Sequence, residues 1–286
     1  MSQRLETSPE IIIEPTHGLR AFDWREVWAY RDLLTLLVWR DFASRYKQTV
    51  LGPLWFIVQP LLTTVVFTIV FGKFAGIPTA ATPPVLFYMV GLLAWNYFAQ
   101  TFQSTSSTLV NNAGMFGKVY FPRIVVPLSS VVSNLAALGI QVATFAAVYA
   151  TYYLIGLPAG TGLRWQVLLL PLVVLQVGAL ALGVGLWLAA LTARYRDFTV
   201  LAGFLLQLWL YATPVIYPLA SVPPGWRIAV ILNPMTMPVE MFKLGLLGAG
   251  TVDTPTVVIS LVMTVALLVT GVLIFKRVES TFVDVV

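Results

Sequence analysis

Few side chains here are of a type that could attack, shuttle a proton or hold a metal. Charged residues make up only 10% of the 286. There is no cysteine, so no thiolate nucleophile, disulfide framework or thiolate metal site, and the redox compartment stays open. The single histidine, His17, lies in a stretch broken by Pro9, Pro15 and Gly18 and cannot make a metal site alone. No HExxH, GxSxG or GxxxxGK[ST] occurs, so the chain cannot hydrolyse ATP through a P-loop of its own. No catalytic residue, cofactor site or metal site is expected. What remains is ionic. Arg40, Arg45 and Lys47 crowd the residues before Gly52-Pro53. Cations so placed anchor a helix to anionic lipid. Far along the chain, Glu240 and Lys243 stand one helical turn apart, a spacing at which they pair with each other. An ion-binding role is the alternative.

The composition says where these residues sit. Hydrophobic residues are 58% of the chain and the mean hydropathy is +0.86. Soluble domains carry about 25% charged residues. No acidic residue occurs between Asp41 and Asp197. The chain is therefore read as an integral membrane protein. Its net charge of +5 would suggest nucleic acid in a soluble domain, but in a membrane protein the location of the charge matters more than its sum. No nucleic-acid partner is expected. Residues 1–50 are charged throughout, unlike a signal peptide. No acidic residue falls in the middle of a span, and no internal repeat is visible. Both points weigh against an ion-coupled secondary transporter.

The elements follow in order. Residues 1–22 read as a mobile cytoplasmic leader. Residues 23–53 read as an amphipathic interface helix and gate, capped by Asp23 with Glu26 three positions on. Val27, Tyr30, Leu33, Leu34, Leu37 and Val38 share one face of it; Arg25, Asp32 and Arg40 lie roughly opposite, with Trp28 and Trp39 off the apolar face. Such a helix suits the plane of a membrane surface, or the surface of a partner. Residues 54–286 read as a six-helix transmembrane domain, with spans at 54–72, 84–102, 125–154, 167–192, 199–218 and 256–275. Counting Lys and Arg with the N-terminus inside places 13 of the 17 on the inner side, so both termini are expected in the cytoplasm. Small residues recur at helical spacing at Gly139, Ala143 and Ala147, and at Ala181, Gly185 and Ala189, which predicts close helix packing within or between subunits. Segment 219–255 is apolar but interrupted by prolines. It reads as two short helical pieces that dip into the outer side and return.

Aromatic side chains are frequent inside the spans. Trp55, Tyr88, Trp95, Phe98 and Trp209 are the candidates for stacking on sugar rings, against the default of packing in an apolar bundle.

At residues 39–72, WRDFASRYKQTVLGPLWFIVQPLLTTVVFTIVFG, the chain resembles the opening segment of polysaccharide-exporter permeases of the ABC superfamily, the group that includes O-antigen and teichoic-acid exporters. NAGMFGKVYFPRIVVPLSS (112–130), ARYRDF (193–198), ATPVIYP (212–218) and LNPMT (232–236) agree in order and spacing. The resemblance covers about residues 25–280. It implies a homodimer of six-span subunits in the cytoplasmic (inner) membrane, with two copies of a separate ABC ATP-binding subunit docked beneath. ATP and Mg would belong to that partner. The motor contacts would be Asn111, Asn112, Phe116 and Lys118 in one inner loop, and Arg194, Arg196 and Asp197 in the next; loops that merely anchor span ends would look similar. The implied substrate is a polyprenyl-diphosphate-linked glycan, with Arg40, Arg45, Lys47 and Arg123 as headgroup contacts at the gate. Export of a drug or another lipid is the second reading, and a membrane glycosyltransferase or ligase the third.

Overall fold

The structure is a computed structural model that describes residues 24–44, 47, 49–116, 121–195 and 197–282. The leader 1–22 and the cap Asp23, with Arg45, Lys118 and Arg196, lie outside the described residues. Every regular element among them is a helix: α1 (Trp24–Ala29), α2 (Arg31–Ser44), α3 (Trp55–Phe67), α4 (Pro84–Ser106), α5 (Thr108–Asn111), α6 (Ala113–Phe116), α7 (Val125–Ile155), α8 (Leu170–Arg194), α9 (Asp197–Ala212), α10 (Pro224–Leu232), α11 (Thr236–Leu247) and α12 (Thr254–Phe282).

Leu37 of α2 is buried and packs with Phe121, Val125 and Val126, flanked by Tyr30, Leu33 and Leu34. The apolar face read from the sequence is thus the docking face. It rests on the start of α7 of the same chain, while Trp28, Leu36 and Trp39 stay exposed. Gly52 then takes φ +51, a left-handed conformation that suits glycine, and opens the 3₁₀ turn Gly52–Leu54 that leads into α3. Helix α3 holds Pro60 and runs on as a π-helical turn, Thr68–Phe74. Leu62, Val65, Val66 and Ile69 leave it exposed on its outer face.

The buried axis of the bundle is α4, which packs against α3, α7, α8, α9 and α11. Helices α8 and α12 cross so closely that a Cβ on Gly183 would lie 2.6 Å from the backbone nitrogen of Leu268. Two hydrogen bonds flank that crossing, from Gln176 Nε2 to Ser260 Oγ at 2.7 Å and from Trp187 Nε1 to Thr270 Oγ1 at 2.9 Å. Of the two small-residue stripes, Ala181, Gly185 and Ala189 are buried within the chain. Gly139, Ala143 and Ala147 are exposed on α7.

Among the described residues five helical stretches are long and apolar enough to cross a membrane: Gly52–Phe74, Pro84–Ser106, Val125–Ile155, Trp165–Arg194 and Thr254–Val278. The fifth expected span, 199–218, is instead the shorter helix α9, which stops at Ala212. At 1.5 Å per residue it is about 24 Å long. Pro214 cannot donate a ladder hydrogen bond, and residues 213–218 fold into a buried turn. In 219–255 the prolines start helices more than they break them. Pro224 opens α10 and Pro238 sits in the first turn of α11, where N–H groups have no helical partner anyway.

Asp253 caps α12, its Oδ1 accepting from the Thr256 N–H at 3.1 Å and from the Thr256 hydroxyl. Those bonds, the hydroxyl's first, hold its carboxyl below the ordinary aspartate value. The cap therefore favours the fold above the unfolded aspartate pKa of about 4, and the gain is lost as pH falls through the lower folded value. Asp253→Ala should cost about 1 kcal/mol at neutral pH. Thermal unfolding in detergent checks this, and the deficit should vanish in acid.

Candidate functional site

One end of the bundle gathers several of the expected site residues. Arg40, near the end of α2, holds Asp41 Oδ1 at 2.8 Å and donates to Asn112 Oδ1 at 3.3 Å, with Met115 Sδ at 3.7 Å. The second carboxylate oxygen of Asp41 accepts from Ser129 Oγ of α7 at 3.4 Å. Arg123 is largely buried, with its guanidinium 5.4 Å from the Phe116 ring centroid. Asn111 donates to Ser107 Oγ at 3.0 Å, and Asn112 to the Thr108 carbonyl at 2.9 Å. Two supposed headgroup cations and three supposed motor contacts therefore meet in one cluster, with Arg40 tying the interface helix to the α5–α6 loop. Lys47 is exposed.

Arg194 and Asp197 are exposed at the neighbouring turn, a cation ending α8 and an anion opening α9, both matched to the helix dipoles. Thr192 Oγ1 donates to the Ser106 carbonyl at 2.9 Å, which fixes this turn beside the end of α4. Ala193 and Phe116 pack on one apolar cluster built round Leu109, Ile124 and Leu186. The two loops thus lie at the same end of the bundle.

The aromatic candidates divide. Tyr88, Trp95 and Phe98 are buried, their faces occupied within the chain. Phe98 stands edge-on to Trp209 at 4.9 Å, and Tyr88 edge-on to Phe87 at 5.6 Å. Trp209 is half-buried, its Nε1 donating to Asn233 Oδ1 at 2.8 Å. Only Trp55 is open, on the wall of a cavity of about 360 Å³ between α3, α4 and α7. Phe56, Gln59, Pro60, Thr63, Asn96, Gln100 and Gln141 complete that wall. A second cavity, of about 330 Å³, is lined by Phe102, Val184, Leu188, Leu205, Leu208, Trp209 and Ala212.

Glu240 and Lys243 do pair, at 3.4 Å, and both are buried. Lys243 Nζ also donates to the Pro214 carbonyl and, at 3.2 Å, to that of Tyr217, and it sits 4.0 Å from the Phe87 ring centroid. Glu240 Oε2 accepts from the Thr251 N–H at 2.9 Å. Asn233 completes this region, accepting from Trp209 and the Met235 N–H and donating to Ala212 and Thr213. The pair is a clasp. It closes the turn after α9 onto α11.

Sequence reasoning passed over the cavity residues Gln59, Thr63, Asn96, Gln100 and Gln141. Neutral amides carry neither charge nor ring to mark them, although Gln59 with Thr63 and Asn96 with Gln100 each stand four apart on one helical face.

Helices of membrane-crossing length round a buried axis define a multi-pass membrane protein. Residues 32–247 match the ABC-2 type transporters, and the chain belongs to that family. It is 33% identical over 214 residues to a protein of Myxococcus xanthus named O-antigen export system permease protein RfbA, covering 74% of this chain and 78% of that one. Two Klebsiella pneumoniae proteins of the same name are each 24% identical, over 255 and 259 residues, covering 89% of this chain and 95% of each relative.

Proposed function

We propose that this chain is the membrane subunit of an ATP-driven exporter that carries a polysaccharide of the O-antigen type across the cytoplasmic membrane. The family match across 32–247, with relatives named O-antigen export permeases along most of their length, carries the reading. In this reading two copies form the conduit, both termini are cytoplasmic, and α10–α11 dip into the outer face. Two copies of an ABC ATP-binding subunit, holding ATP and Mg, dock at the loops Asn111–Phe116 and Arg194–Asp197. Their closure would reach α2 through the Arg40–Asn112 contact. The glycan would travel on a polyprenyl diphosphate, its headgroup met by Arg40, Arg45, Lys47 and Arg123.

Deleting the gene should abolish surface polysaccharide while lipid-linked glycan accumulates inside, and the wild-type chain should restore export. A deletion strain with normal surface polysaccharide would refute the proposal. Reversing the charge of Arg45 and Lys47 together should stop export without disturbing subunit assembly. Normal export by that double variant would remove these two residues from the gate.

A further inference from the structure

The cavity between α3, α4 and α7 holds an unusual lining for a membrane-spanning bundle. Four primary amides and a hydroxyl converge there: Gln59, Asn96, Gln100, Gln141 and Thr63. Amide groups removed from water are costly unless they find partners. One pair does, Asn96 Nδ2 donating to Gln141 Oε1 at 3.3 Å. Gln59 is exposed and Gln100 half-buried on the open side of the cavity, and among the described residues neither side-chain amide makes a hydrogen bond, leaving both free to meet a ligand. Holding helices together would need only the one pair.

The polar line continues beyond the cavity. Asn134 Nδ2 donates to Thr101 Oγ1 at 3.2 Å and to Ser104 Oγ at 3.3 Å. Beside it, Asn134 Oδ1, Ser133 Oγ and Thr105 Oγ1 are buried without a partner among the described residues. This line leads along α4 toward Ser107, Thr108 and the Arg40–Asn112 contact.

The chemistry of the lining selects its ligand. It contains no Asp, Glu, Lys, Arg or His, so it has no formal charge to balance a phosphate or a bare ion. Each primary amide presents two donors and an acceptor oxygen, which match hydroxyl groups that both give and accept. Trp55, exposed at the same wall, adds a flat apolar face suited to the C–H faces of pyranose rings. The second cavity has aromatic walls in Phe102 and Trp209 but no amide among its lining residues. We propose that the amide-lined cavity is a contact site for an uncharged polyhydroxylated chain, gripping the sugar hydroxyls of the exported glycan and not its lipid diphosphate. This rests on the exporter reading above.

The absence of native cysteine makes the test direct. Single Gln59→Cys and Gln100→Cys variants, with Leu62→Cys on the exposed outer face of α3 as control, are produced in the deletion strain. Labelling by a small charged methanethiosulfonate is timed in membranes of three hosts. The first accumulates full lipid-linked polysaccharide, the second stops at one sugar on the lipid diphosphate, and the third is blocked at the first glycosyl transfer. Positions 59 and 100 should label readily in the third host and several-fold more slowly in the first, while the second resembles the third. Position 62 should label poorly in all three. Equal rates in all hosts, or protection by the one-sugar lipid, would overturn the inference. A wild-type chain that restores no surface polysaccharide would overturn the exporter reading itself, so the two failures are distinguishable.

Discussion

Lys243→Met should be among the most damaging single substitutions in this chain, by about 3–5 kcal/mol. The ammonium is buried, and its loss strands three acceptors at once: Glu240 Oε1 and the carbonyls of Pro214 and Tyr217. Glu240 would keep its bonds from Thr251 but would become a buried charge without a cation. The turn at 213–218 would lose its clasp to α11, and with it the end of α9 beside α4. Melting in detergent and the amount of chain recovered from membranes both report the effect. Adding Glu240→Gln should recover part of the loss, because the unpaired charge is then gone, and a double-mutant cycle would give the coupling. Unchanged melting of Lys243→Met would show that the clasp contributes nothing.

Gly183→Val should be comparably severe, through packing and not charge. A Cβ there meets the backbone of Leu267 and Leu268 at 2.6–2.8 Å, and backbone cannot swing aside as a side chain can. The helices must separate, breaking the flanking bonds Gln176–Ser260 and Trp187–Thr270 as they do. We expect a loss at or above the upper end of the about 1–3 kcal/mol typical of overpacked sites. Gly139→Val is the matched control, since a Cβ at that position meets nothing within 4 Å in the chain. Melting of the two variants side by side would decide it; equal loss would mean that the α8–α12 crossing is not the tight contact described.

Much of this was legible in the residues. Apolar runs set the long helices to within a few positions, because a span must be continuous to satisfy its backbone in lipid. The face Tyr30–Leu33–Leu34–Leu37 was evident from its spacing, though not that it would rest on α7. A periodic apolar face says that something covers it, and not what. The end of α9 was misplaced because residues 213–218 are apolar enough to prolong a span. The clasp that folds them back comes from Lys243, about thirty positions on. The cavity was hidden for a different reason. Gln59, Gln100 and Gln141 are far apart in the chain and uncharged, and only the crossing of three helices brings them together.

The division of labour between this chain and a separate motor is tested most directly by purification. The tagged chain is extracted from its native membrane in mild detergent, and stoichiometric companions are identified by mass spectrometry. The account predicts a P-loop ATPase, one for each copy of this chain, that is lost when the Asn111–Phe116 loop is altered. A chain that purified alone with transport or glycosyl-transfer activity intact would contradict it.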